Sequence, residues 1–147
     1  VGTANTASNV LDDYEEGTFT PSWSSGTSNY VSGGQQGRYT KIGNIVFFNI
    51  RISTSSITSL GTAFINGLPF TSVNISDYYQ SSISIFPVQG YTNLGDAGLK
   101  GQIVPNSTQL TIYINQEGSG ANYNTLDAGD MNEGALMQLN LGGFYHV

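Results

Sequence analysis

The chain has 147 residues, four Lys plus Arg against ten Asp plus Glu, a formal charge of −6, 19 glycines and nine tyrosines. Four scattered cations exclude the basic footprint that nucleic acid requires, and the aromatic and β-branched content excludes a disordered chain. No stretch approaches the roughly 18 apolar residues of a membrane-spanning helix, and with no cysteine there are no disulfides, thiolate metal sites or thiol catalysis.

The length is that of one domain. Residues 1–17 read as an N-terminal linker or junction, and residues 18–147 as a single β-sandwich domain. The first residues show neither the basic nor the apolar region of a secretory signal. Four of the ten acids, Asp12, Asp13, Glu15 and Glu16, cluster in the junction. An Asn9 or Asp12 cap there is compatible with one helical turn, ended by Gly17. Beyond it the periodicity is two almost everywhere. Thr18 to Trp23 alternates, with Phe19 and Trp23 in phase and Pro21 marking an edge. Residues 24–37, rich in Ser, Gly, Asn and Gln, read as a loop holding a brief strand. Gly37 to Ile42 and Ile45 to Ser55 form a hairpin around Gly43-Asn44, pairing Tyr39-Thr40 with Phe47-Phe48. On its second arm Val46, Phe48, Ile50 and Ile52 share one face; Phe47, Asn49, Arg51 and Ser53 share the other.

Short strands follow at Thr62 to Asn66 and Ser81 to Val88. A second hairpin joins Leu99 to Val104 and Gln109 to Gln116 around residues 105–108, with Leu110, Ile112 and Ile114 in phase. Residues 117–124 and 127–134 read as loops. The strand from Leu136 to Tyr145 has Met137, Leu139 and Leu141 in phase. Seven to nine short strands with glycine-rich turns predict an all-β, antiparallel sandwich or jelly roll. No fixed-period repeat favours a propeller or solenoid.

The residues do not compose an enzyme. The one histidine, His146, is penultimate in the chain, a poor place to hold a base against a nucleophile. Multi-histidine zinc ligation is impossible, so no metal or other cofactor is expected. Paired carboxylates for glycoside hydrolysis are available among Asp77, Asp96, Glu117, Asp127, Asp130 and Glu133. All fall in loops, where solvated acids belong in any case. Asp127 to Glu133 offers four oxygen-bearing side chains around a glycine, suited to calcium and equally to a plain acidic turn. More distinctive is the polar–aromatic loop chemistry. Tyr78, Tyr79, Tyr91 and Tyr123, with Asp96, join flat apolar faces to hydroxyl, amide and carboxylate groups, and are the candidates for binding a carbohydrate. Trp23, Phe47 and Arg51 are the candidates for a trimer interface, with the core as the other reading of Trp23.

Three stretches are similar to a known family. Val10-Leu11-Asp12-Asp13-Tyr14-Glu15-Glu16-Gly17-Thr18-Phe19-Thr20-Pro21 resembles the opening of C-terminal domains of phage tail fibres, tailspikes and related virion proteins, with Phe19 where tryptophan is usual. Gly37-Arg38-Tyr39-Thr40-Lys41-Ile42-Gly43-Asn44-Ile45-Val46 resembles a hairpin of the same domains, and Gly67-Leu68-Pro69-Phe70 one of their strand ends. Residues 73–147 match only in style. The resemblance implies a homotrimeric receptor-binding domain on a virion, made in the bacterial host cytoplasm, that binds host surface polysaccharide and continues from a preceding fibre or β-helix region. It implies no catalysis, and its alternative is a structural module that caps or trimerises the fibre. It transfers no sugar-binding residue.

Overall fold

The computed structural model describes residues 13–24, 27–58, 62, 64–74, 83–91, 98–115, 123–127, 130 and 136–147. Ten strands among them form one antiparallel sheet: β1 (Tyr14–Phe19), β2 (Ser22–Trp23), β3 (Thr27–Ile42), β4 (Ile45–Thr58), β5 (Phe64–Asn66), β6 (Ile83–Gln89), β7 (Leu99–Ile103), β8 (Gln109–Asn115), β9 (Tyr123–Thr125) and β10 (Met137–His146). The lateral order is β1-β3-β4-β10-β6-β7-β8-β5-β2, with β9 also on β8. β5 and β9 share one edge of β8, against residues 109–111 and 113–115 respectively.

The two ends of this order, β1 and β2, are joined through only Thr20-Pro21, so the sheet has to curl back on itself. Two hydrogen bonds hold the curl. The backbone N–H of Trp23 donates to the Tyr30 hydroxyl at 2.8 Å, and Gln35 Nε2 donates to the Pro21 carbonyl at 3.0 Å. The result is the expected all-β antiparallel class, built as a curled half-barrel of sandwich or jelly-roll type. Among the described residues, β6 pairs with β7 at Ile83 and Gly101.

The core follows the alternation in the sequence. Val46, Phe48, Ile50 and Ile52 of β4 are buried, as are Leu110, Ile112 and Ile114 of β8 and Met137, Leu139, Leu141 and Tyr145 of β10. The first hairpin takes the expected register, Tyr39 opposite Phe48 and Thr40 opposite Phe47. Gly43 supplies the positive φ of its turn, at 59°.

Three features differ from the sequence reading. From Tyr14 the acidic segment is a strand rather than a helical turn, paired along its length with β3. Thr18 to Trp23 is not one strand but two, because Thr20-Pro21 carries the chain from one end of the sheet to the other. The polar stretch after residue 26 is not a loop but the first half of β3. Its register slips between Tyr30 and Gln35, forming a bulge around Gly33 and Gly34. A Cβ on Gly34 would collide with the Ser53 carbonyl, so the polar composition reflects close backbone approach rather than lost pairing.

The stretches resembling virion proteins converge on one aromatic cluster. Gly17 lies opposite Tyr39 and Phe19 opposite Gly37. Each ring therefore covers the glycine of the facing strand, and a Cβ would come within 2.8 Å of Tyr39 or 2.6 Å of Phe19. Tyr39 meets Phe70 edge-on at 5.3 Å. The Phe70 backbone is held by the Tyr145 hydroxyl, which donates to its carbonyl at 3.1 Å and accepts from its N–H at 3.2 Å. These motif residues build the domain.

Candidate functional site

The curl leaves the opposite face of β3, β4, β10 and β6 outside. Strand pairing sets what gathers there. Arg38 faces Asn49, Gln36 faces Arg51, Asn49 faces Gly142, Arg51 faces Asn140, and Asn140 faces Phe86. Since side chains alternate across a strand, all of these project outward together. Gly142 has no side chain, and the Asn49 amide lies over it: a Cβ there would come within 2.7 Å of Asn49 Oδ1. The face thus sinks into a groove of about 580 Å³ lined by these residues and Ser84, with no carboxylate among the described lining side chains.

Arg51 is partly fixed, since its guanidinium donates to the Gly33 carbonyl at the bulge at 3.1 Å. Arg38 is exposed and has no ion pair among the described residues. Asn140 Oδ1 is buried with no hydrogen-bond partner among the described protein groups. Phe86 stands at the groove edge, 68% exposed. A neighbouring depression of about 480 Å³ shares Arg38 and Asn49 and is bordered by Glu16 and Phe47. The Glu16 carboxylate there accepts the Tyr14 hydroxyl at 2.7 Å.

Phe47 lies on the same outer face, 46% exposed, with its ring 6.1 Å from that of Phe144, itself 40% exposed. Trp23 belongs to the chain's own core at 8% exposure. Arg51 lines the groove. Tyr91 is half-buried against the core, and burial pushes its phenol well above the ordinary tyrosine value. Its hydroxyl is buried without a hydrogen-bond partner among the described groups. Tyr123 lies on β9. Tyr78, Tyr79 and Asp96 fall outside the described residues, as do Asp77, Glu117 and Glu133.

Of the acids considered for hydrolysis or calcium, Asp127 and Asp130 are described. They share one turn, where the Asp130 carboxylate accepts the Asp127 N–H at 3.1 Å. Burial raises the Asp130 carboxyl above its ordinary value, with the nearby Asp127 charge adding to it and the hydrogen bond opposing both. Among the described residues no three His, Cys, Asp or Glu side chains group as metal ligands. Sequence reasoning did not single out Gln36, Asn49, Phe86, Asn140 or Gly142, and it met Arg38 only inside a hairpin motif. Their shared outward parity is visible in the sequence, but their convergence requires the strand order.

The fold has a counterpart among solved structures. The crystal structure of the Dettilon tailspike protein (gp208) matches with a TM-score of 0.58 at 20% sequence identity, over 90% of this chain and 24% of that one. The chain therefore spans about a quarter of the tailspike it resembles, and the likeness is one of fold. No family model matches the chain, and no curated protein matches it.

Proposed function

We propose that this chain is a C-terminal domain of a virion fibre or tailspike, a homotrimer that engages host cell-surface polysaccharide. The observation that carries the reading is the likeness of fold to part of a tailspike protein over 90% of the chain. The stretches around Asp12 to Pro21 and Gly37 to Val46 support it separately, since they resemble virion-fibre domains in sequence. In this reading the domain continues from a fibre or β-helix region, is made in the bacterial host cytoplasm, and binds without catalysing. Phe47, flanked by Phe144, is the apolar contact between copies.

Light scattering combined with retention on host cells tests the proposal. A trimer that binds host polysaccharide is the expected result. A stable monomer at micromolar concentration overturns the trimer. A folded trimer that host surfaces do not retain leaves the alternative, a capping module of the fibre.

A further inference from the structure

We infer that the outer groove floored by Gly142 is a saccharide site selective for an acidic sugar, one bearing a carboxylate or phosphate group. The inference rests on the reading of the domain as a polysaccharide binder, and it moves the contact from the tyrosine loops to the face of the sheet. Arg38 and Arg51 are half of the chain's four cations. They occupy adjacent strands, because Arg38 faces Asn49 and Arg51 lies two residues further along β4. The backbones of such diagonal neighbours are about 7–8 Å apart. Both side chains line the groove, and among the described residues no carboxylate lines it, which leaves it locally positive. The closest acid on this face by register is Glu16, since Thr18 pairs with Arg38 and Glu16 lies two residues before it. Glu16 forms no ion pair with Arg38 and instead accepts the Tyr14 hydroxyl.

The remaining lining suits the rest of a sugar. Guanidinium groups grip oxyanions through paired N–H donors in a fixed plane. Asn49, Gln36 and Asn140 offer amide donors and acceptors for ring hydroxyls. Phe86 presents an exposed ring on which the apolar C–H face of a pyranose can lie. A groove of about 580 Å³ is of the size that holds a small ligand. The chain's net charge of −6 opposes an anion only at a distance. Solvent ions screen exposed charges beyond about 8 Å at physiological salt, so the two local cations decide the sign at contact.

The test titrates the full chain by calorimetry with three oligosaccharides of equal length: a uronic-acid oligomer, a phosphorylated oligomer and a neutral one. The wild type is expected to bind at least one acidic probe at least tenfold more tightly than the neutral probe, and the tighter of the two names the anionic group. Arg38→Gln is expected to lower that affinity about tenfold, the weight of one charged hydrogen-bonding contact, and to lower neutral-probe binding by less, so that the preference for the acidic probe narrows. Arg38 is exposed and has no ion pair among the described residues, so this variant keeps the fold. Phe86→Ala, also at an exposed position, is expected to weaken all saccharide binding. Equal affinity for neutral and acidic probes, or no loss in Arg38→Gln, overturns the inference while leaving a polysaccharide-binding domain intact. Binding to no probe by a protein that host cells do retain also overturns it. Conversion of a wild-type trimer to a monomer by Arg38→Gln would assign this face to a second copy of the chain and overturn the saccharide site.

Discussion

Removing the Tyr145 hydroxyl isolates one of the ties that hold the chain after β5 to the last strand, beside the Val73 N–H that donates to the His146 carbonyl at 2.9 Å. Tyr145 is fully buried, its ring lies edge-on to Phe48 at 5.8 Å, and its hydroxyl both donates to and accepts from the Phe70 backbone. Tyr145→Phe keeps the ring and therefore its packing. It leaves a backbone N–H and a carbonyl of a half-buried residue without their partner. Stranding such groups costs about 1–3 kcal/mol. About 2 kcal/mol lowers the melting temperature of a domain this size by roughly 4–8 °C. Wild type and variant are compared by thermal and denaturant unfolding at equal chain concentration, because any assembly makes stability depend on it.

The pH dependence supplies a second, independent readout. Burial pushes the Tyr145 phenol up to about 12, partly opposed by the hydrogen bond from the Phe70 N–H, with Tyr39 adding to the rise. A raised value in the folded state means that the stabilisation is complete below the unfolded value near 10. It is then lost as pH rises toward 12. The variant has no hydroxyl to ionise at this position, so its deficit should shrink between pH 10 and 12. Tyr91 is also raised, but it is present in both proteins and cancels in the comparison. A shift in melting temperature below about 1 °C, or the same loss of stability with pH in both proteins, would refute the reasoning.

Two further outcomes follow from local geometry. Gly37→Ala places a Cβ about 2.6 Å from the Phe19 ring and should cost about 1–3 kcal/mol by overpacking; in a Phe19→Ala background the same change should cost almost nothing, as a double-mutant cycle in denaturant would measure. Asp130→Asn should stabilise the protein at neutral pH and lose that advantage well below the ordinary carboxylate value, because the raised Asp130 carboxyl contributes stability only while protonated; melting curves across that range check it.

The legible parts of the fold were those in which one physical demand fixes the pattern. Val46, Phe48, Ile50 and Ile52 had to face a core, and Gly43-Asn44 had to turn tightly, so hairpin register could be read directly from the chain. β3 is less legible because polar composition resembles that of an unpaired loop. The first half of that strand pairs with the end of β4 while its own face is partly wet. Its glycines permit backbone contact, which hydrophobic alternation cannot report. Pro21 marks an edge correctly, since β1 and β2 lie at the two ends of the strand order, but the segment is two strands and the link between them closes the curl of the sheet.

The groove was hidden for a different reason. Arg38, Asn49, Arg51, Asn140 and Phe86 each look like an ordinary outward-facing strand residue in its own segment. They converge only because β10 inserts between β4 and β6, an order that no local pattern encodes. The tyrosine loops stand out by composition, which reveals what chemistry a segment carries but not what faces it. Whole-chain charge is an equally poor guide to a single face. Two of the four cations share a groove that no carboxylate lines among the described residues, while four of the ten acids cluster between Asp12 and Glu16. The negative whole-chain charge therefore says little about the sign of a ligand held on this face of the sheet.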